Sequence, residues 1–154
     1  MRWVGATSES VRRLDALELA AWKGFLRTHS ELVRDLNAEL DHAHDLPLTS
    51  YEVLLYLNDA PGHKLRMSEL AASVLLSPSG ITRLIDRLTA DGLVVKERCR
   101  DDRRGFNAVI TPAGRERFAR ARDTHLAGVR ARFHERLSAD DLTELAGIWE
   151  KLRA

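Results

Sequence analysis

The chain has 154 residues, 44% of them apolar and 31% charged, with a formal net charge of +1, a composition that fits an ordinary globular protein with a sizeable core. So even a balance excludes a globally basic nucleic-acid protein, and any DNA-binding face must come from uneven placement of charge. The one cysteine, Cys99, excludes an intramolecular disulfide framework and fits a reducing compartment; no apolar run approaches the ~18 residues of a membrane span, and the start MRWVGATSES lacks the apolar core of a signal peptide, so a cytoplasmic protein with no membrane partner is expected.

From about Ser10 to His44, Val11, Leu14, Leu17, Ala21, Trp22, Phe25, Leu26, Leu32, Val33, Leu36 and Leu40 recur mostly in steps of three or four. That period predicts one long helix or two nearly continuous ones, with Gly24 as the place for a bend. Roughly 30 helical residues span ~45 Å, longer than a domain of this size is wide, so part of the helix is expected to pack against a second copy of the chain. Leu46-Pro47 ends it, because the residue before a proline avoids helical geometry. Thr49-Ser50-Tyr51-Glu52 then reads as a capping box for a short helix ending near Asn58, with Val53, Leu54 and Leu57 turned inward.

Asp59-Ala60-Pro61-Gly62 reads as a turn and Leu65-Arg66 as a brief strand, after which Ser68 is expected to cap a helix from Glu69 to Leu75. A turn at Leu76-Ser77 leads into SPSGITRLIDRLTADG. Ser77 suits an N-cap, Pro78 the first helical turn, and Gly92 the left-handed residue that closes the helix. Ile81, Leu84, Ile85 and Leu88 form a buried stripe, and the opposite face carries Ser79, Thr82, Arg83, Asp86 and Arg87. Small hydroxyls and arginines at the start of an anchored helix can reach base edges and phosphates in a major groove. A solvated surface helix is the alternative for this stretch taken alone, but two helices in this order and at this size make a helix-turn-helix.

After Gly92 the period changes to that of strands, at Leu93 to Cys99 and Phe106 to Ile110, joined by the charged turn Arg100-Asp101-Asp102-Arg103-Arg104-Gly105. Seven basic residues (Arg83, Arg87, Lys96, Arg98, Arg100, Arg103, Arg104) stand against five acidic ones between Ser77 and Arg104. Thr111-Pro112 starts a helix running to about His134, and Ser138 caps a last one with the apolar stripe Leu142, Leu145, Ile148, Trp149 and Leu152. The fold class is therefore mainly α with a small β wing, a winged helix-turn-helix. With no repeat or linker to divide it, a single domain over 1–154 is expected, the winged-helix lobe at about 47–111 between dimerisation helices at about 10–44 and 112–153.

Ser77 to Gly92 together with Asp102-Arg103-Arg104-Gly105-Phe106-Asn107-Ala108-Val109-Ile110-Thr111 resembles the MarR family of bacterial winged-helix transcription regulators. The wing segment is similar to the family's pattern of Asp, any, Arg, three of any, Val, any, Leu, Thr, with Ala108 in place of the Val and Ile110 in place of the Leu. The resemblance implies a homodimer built from the first and last helices, two lobes reading a near-palindromic double-stranded operator, and ligand-responsive repression. Matched position by position, Ser77, Ser79, Gly80, Thr82 and Arg83 fall on the family's recognition-helix contacts, Arg104 on the wing arginine that enters the minor groove, and Asp102 on the carboxylate that orients it. Arg87 and Arg103 complete the expected DNA-contact set. A guanidinium suits a narrow, negative minor groove; a solvated charged hairpin tip is the other reading of Asp102 and Arg104.

Trp22, Arg27 and His29 are the candidate ligand residues, for a small aromatic, phenolic or purine-type effector. Trp22 and His29 share a side of the first helix, whereas Trp22 and Arg27, similar in spacing to the start of a signature in the family's urate-responsive branch, lie ~140° apart around it. Core packing for Trp22 and a structural role for His29 remain open. Neither metal nor cofactor is expected, since His42 and His44 point apart on a helix and no HxxxH or cysteine cluster occurs. No nucleophile motif, phosphate loop or dinucleotide fingerprint points to an enzyme. The alternatives to a DNA-binding regulator are a winged helix used only for protein contact and a regulator sensing oxidants through Cys99.

Overall fold

The computed structural model describes residues 12–99 and 105–153. Helix α1 spans Ala16–His44 and runs unbroken through Gly24, 29 residues or about 43 Å long. Its start is a capping box: Asp15 Oδ1 accepts from the Glu18 N–H at 2.9 Å and Glu18 Oε2 accepts from the Asp15 N–H at 2.8 Å. Ser10 itself lies outside the described residues, but Arg12 to Asp15 are not helical, so the helix begins later than the apolar period from about Ser10 implies, because Asp15 and Glu18 cap it there. Only Leu36 and Leu40 of α1 are buried, both near its C-terminal end, so the N-terminal half of this helix stays largely exposed in a single chain.

Helix α2 (Leu48–Asp59) begins earlier than its Thr-Ser-Tyr-Glu signal implies, and that box does not form. The first N–H of α2, that of Leu48, instead donates to Asn37 Oδ1 of α1 at 2.9 Å, while Ser50 turns into the core beside Tyr51, Val53, Leu54 and Leu57. A 3-10 turn (Pro61–His63) leads to strand β1 (Lys64–Arg66) and helix α3 (Met67–Ser73). Ser68 does not cap α3; Glu69 Oε2 accepts from the Arg66 N–H at 3.1 Å, which sets the start at Met67.

Helix α4 (Pro78–Ala90) begins and ends where its sequence signals put it. Ser77 Oγ accepts from the Gly80 N–H at 3.1 Å. At the other end Gly92 takes φ +73°, its N–H donates to the Thr89 carbonyl and the Leu93 N–H to the Leu88 carbonyl, the paired bonds of a Schellman cap. Ile81, Leu84, Ile85 and Leu88 are buried, each contributing about 1.5–3 kcal/mol of burial, and this fixes which face α4 presents outward.

Strands β2 (Val94–Arg98) and β3 (Phe106–Ile110) pair antiparallel from Val94 with Ile110 to Arg98 with Phe106, and β1 adds to the far edge of β3, giving the order β1-β3-β2. Ala108 and Ile110 face the core. Thr111 joins this sheet to helix α5 (Pro112–Arg132): its Oγ1 accepts from the Gly114 N–H and donates to the Gly92 carbonyl, and its N–H donates to the Leu93 carbonyl. A Cβ at Gly114 would lie 2.2 Å from the Leu93 carbonyl oxygen, so α5 can sit this close to the wing only with glycine there. After a 3-10 turn (His134–Arg136), Ser138 caps helix α6 (Ala139–Arg153), accepting from the Asp141 N–H at 3.1 Å. No helix among the described residues is long and apolar enough to cross a membrane.

Candidate nucleic-acid interface

The outward face of α4 carries Ser79, Thr82, Arg83, Asp86 and Arg87, all exposed. The five differ in what already holds them. Ser79 Oγ shares a hydrogen bond with Ser77 Oγ at 3.2 Å, and Thr82 Oγ1 donates to the Pro78 carbonyl at 2.8 Å. Each hydroxyl oxygen keeps lone pairs for an outside donor. Gly80 is half-buried and supplies its N–H to the cap, so its part is to shape the helix start. Asp86 accepts from Lys96 Nζ of β2, pinning helix to wing. Arg87 Nη2 donates to the Ser50 hydroxyl at 2.9 Å. Among the described residues Arg83 has no hydrogen-bond or ion-pair partner, which leaves a whole guanidinium on the outward face of an anchored helix.

The wing is closed at its base by a bond from the Cys99 N–H to the Gly105 carbonyl at 3.0 Å, with the Arg98 guanidinium 5.8 Å over the Phe106 ring across the strand pair. Asp102, Arg103 and Arg104 lie outside the described residues. Cys99 is buried and its thiol donates to Asn107 Oδ1 at 3.3 Å, a structural setting of the kind that shields a thiol from oxidants. The bonds of Ser50, Lys96 and Asn107 to this region were not legible in the sequence, because every one of them bridges elements rather than neighbours in the chain.

A helix with one buried stripe, a hydroxyl-rich start and an exposed arginine, followed by a β wing, can offer donors to base edges and phosphates together. Comparison with known proteins agrees. A family model described as the MarR family matches residues 44–105. AbsC, a MarR family transcriptional regulator from Streptomyces coelicolor, is 35% identical with a TM-score of 0.84 over 93% of this chain and 99% of AbsC. The chain belongs to the MarR family. A second MarR family regulator of that organism, Sco3205, whose structure is in complex with DNA, is 29% identical with a TM-score of 0.87 over 92% of this chain and 89% of its own. The HTH-type transcriptional repressor YetL of Bacillus subtilis is 26% identical over 104 residues, 66% of this chain and 62% of YetL. This is a family of transcriptional regulators and not of enzymes.

In this MarR-family chain the candidate ligand residues lie on the exposed part of α1. Trp22 and His29 flank Phe25, with ring centroids 6.0 and 6.1 Å from it, and Phe25 in turn meets Trp149 of α6 at 5.7 Å. Arg27 is exposed on the same helix, and the structure does not bring it together with the other two into a cavity. Open clefts lie elsewhere along the α1–α5 seam. One of about 310 Å³ is lined by Thr28, Glu31, Leu32 and Asp35 of α1 with Arg132, Phe133, Arg136 and Leu137. Deeper, where α1 and α2 meet α5, the Tyr51 ring packs on His125 at 4.6 Å, Arg117 donates to the His44 carbonyl at 2.6 Å, and Arg132 bonds Glu39. Burial lowers the His125 pKa and raises those of Tyr51 and Glu52.

Proposed function

We propose that this chain is a sequence-specific DNA-binding transcriptional regulator acting in the cytoplasm, a homodimeric and ligand-responsive repressor whose two α4 helices enter successive major grooves of a near-palindromic operator. The observation that carries the reading is the outward face of α4, where Ser77, Ser79, Thr82 and Arg83, which has no partner among the described residues, stand on a helix locked by four buried residues. The DNA complex of Sco3205 supports it by likeness, and the repressor sense follows YetL. Arg104, with Asp102 beside it, is assigned to the minor groove by the family pattern, and Arg103 and Arg87 to the phosphates.

Dimerisation is supported by apolar surface that one chain leaves bare. No residue of α6 is buried, Leu152 is 73% exposed, and Leu17, Trp22, Phe25 and Leu26 of α1 are exposed as well. A contiguous apolar face of this extent marks an interface. A small aromatic, phenolic or purine-type effector is assigned to Trp22, Arg27 and His29, where exposed rings offer stacking faces and the helices of a second copy would close the site.

The test is selection of bound duplexes from a random pool. The wild-type protein should enrich a two-fold symmetric site with half-sites about one helical turn apart, and Arg83→Ala should lower affinity for it by roughly 1–3 kcal/mol while relaxing preference at one base pair per half-site. Enrichment of no sequence would favour a winged helix used for protein contact.

A further inference from the structure

Leu75 sits in the turn between α3 and α4 in a conformation that its residue type disfavours. Its φ is +54°, and it is 91% exposed. The turn is a Schellman cap: the Leu75 N–H donates to the Ala72 carbonyl at 3.4 Å and the Leu76 N–H to the Ala71 carbonyl at 2.9 Å. That motif places its next-to-last residue, the one after the cap, in the left-handed region, where a Cβ is strained and glycine is the usual occupant. The chain uses glycine at the equivalent point after α4, Gly92 at φ +73°. Among the described residues the other non-glycine positions with positive φ are Asp45 and His63, residue types that tolerate this region better than leucine. Leu76 next door is half-buried and packs on the core, so the turn already has its anchor, and nothing among the described residues covers a leucine at 75.

A single residue, Leu76, separates Leu75 from the Ser77 cap, at the end of α4 where the exposed hydroxyls of Ser77 and Ser79 lie. We propose that Leu75 is a specificity-determining residue that makes an apolar contact with a thymine 5-methyl group at the edge of the major groove. The inference rests on the reading of α4 as the DNA-facing helix. The groove edge of an A·T pair is the one that presents a methyl group, so a leucine held outward beside the reading hydroxyls recognises thymine where a hydroxyl could not.

The experiment uses the tightest duplex selected by the wild-type protein, with each thymine in a half-site replaced singly by deoxyuridine, which lacks the methyl group. Wild-type affinity should fall about four-fold at one position per half-site, which is ~0.8 kcal/mol for a methyl-sized group. Leu75→Gly should bind the thymine duplex about four-fold more weakly, ignore the replacement at that position, and melt at a higher temperature than wild type because the strain is gone. Leu75→Asn, which also tolerates positive φ, should ignore the replacement too. If Leu75→Gly and wild type lose the same affinity at every deoxyuridine, or if Leu75→Gly weakens binding with no base dependence, the methyl contact is wrong while DNA reading stands. If the wild-type protein selects no duplex, the reading of α4 itself fails and this inference with it.

Discussion

The two arginines on the outer face of α4 should separate cleanly when each is removed. Arg87 donates to the hydroxyl of Ser50, a residue 1% exposed on α2, whereas Arg83 has no partner among the described residues. Truncating Arg87 leaves a buried hydroxyl short of a donor, a loss of roughly 1–2 kcal/mol, and at ~2–4 °C per kcal/mol for a chain of this size the melting temperature should drop about 2–8 °C. Arg83→Ala removes a solvated side chain, so its stability should stay within about 0.5 kcal/mol of wild type, while its operator affinity falls roughly 5- to 150-fold. Ser50→Ala is the control. Without the hydroxyl nothing buried is left unsatisfied, so the double variant Ser50→Ala with Arg87→Ala should be more stable than Arg87→Ala alone. Thermal unfolding at one fixed protein concentration, needed because a dimer's midpoint depends on it, and duplex titration well below the midpoint give both readouts. Should Arg87→Ala melt with wild type and lose as much DNA affinity as Arg83→Ala, the bond to Ser50 contributes nothing and Arg87 serves DNA alone.

Gly114→Ala should destabilise the protein by about 1–3 kcal/mol, since its Cβ would lie 2.2 Å from the Leu93 carbonyl oxygen; an unchanged urea midpoint would show that α5 can move away from the wing at no cost. Removing residues 139–154 should give an insoluble or unfolded chain, because α6 would no longer cover the apolar face of α1 and its partner; a soluble folded monomer by sedimentation would remove the case for a dimer built on these helices. Burial holds the His125 pKa below its ordinary 6.5, so the unfolded chain takes up this proton first. Stability from this group is complete above about pH 6.5 and declines as pH falls toward the lowered folded value. Glu52 acts in the opposite sense lower on the scale, its raised carboxyl losing stabilisation as pH rises past its ordinary 4.5. His125→Gln should therefore flatten the change in urea midpoint between about pH 7 and pH 5.5, and an unaltered slope would mean that another group carries it.

Local signals read well from the sequence, and bonds made across the fold did not. Ser77, Pro78 and Gly92 bracket α4 because cap, first turn and left-handed close are decided within a few residues, and Thr111 and Ser138 start α5 and α6 for the same reason. The box at Thr49 to Glu52 misled because Asn37 on α1, eleven residues upstream, already supplies the first acceptor of α2, and burial of Ser50 has a better use for its hydroxyl. At α3 the Ser68 signal lost to Glu69, whose side chain reaches back to Arg66. Asp15 and Glu18 carry a readable capping signal at the true start of α1, which the longer apolar period hid. On the reading face, the exposed hydroxyls and Arg83 follow from periodicity alone. What restrains Asp86 and Arg87 depends on Lys96 of β2 and Ser50 of α2, partners that no spacing rule along α4 can name. Leu75 left its own signal in the sequence, the lack of a glycine after α3.

The central claim, that α4 and the wing form a DNA-reading surface, is tested most directly by measuring affinity for a selected duplex as a function of salt, for wild type and Arg83→Ala. Neutralised phosphates release counterions, so log K should fall linearly and steeply with log salt, by several units of slope for a dimer, with Arg83→Ala displaced to weaker binding at every salt and its base preference relaxed. A wild-type protein that binds no duplex even at low salt would contradict the account.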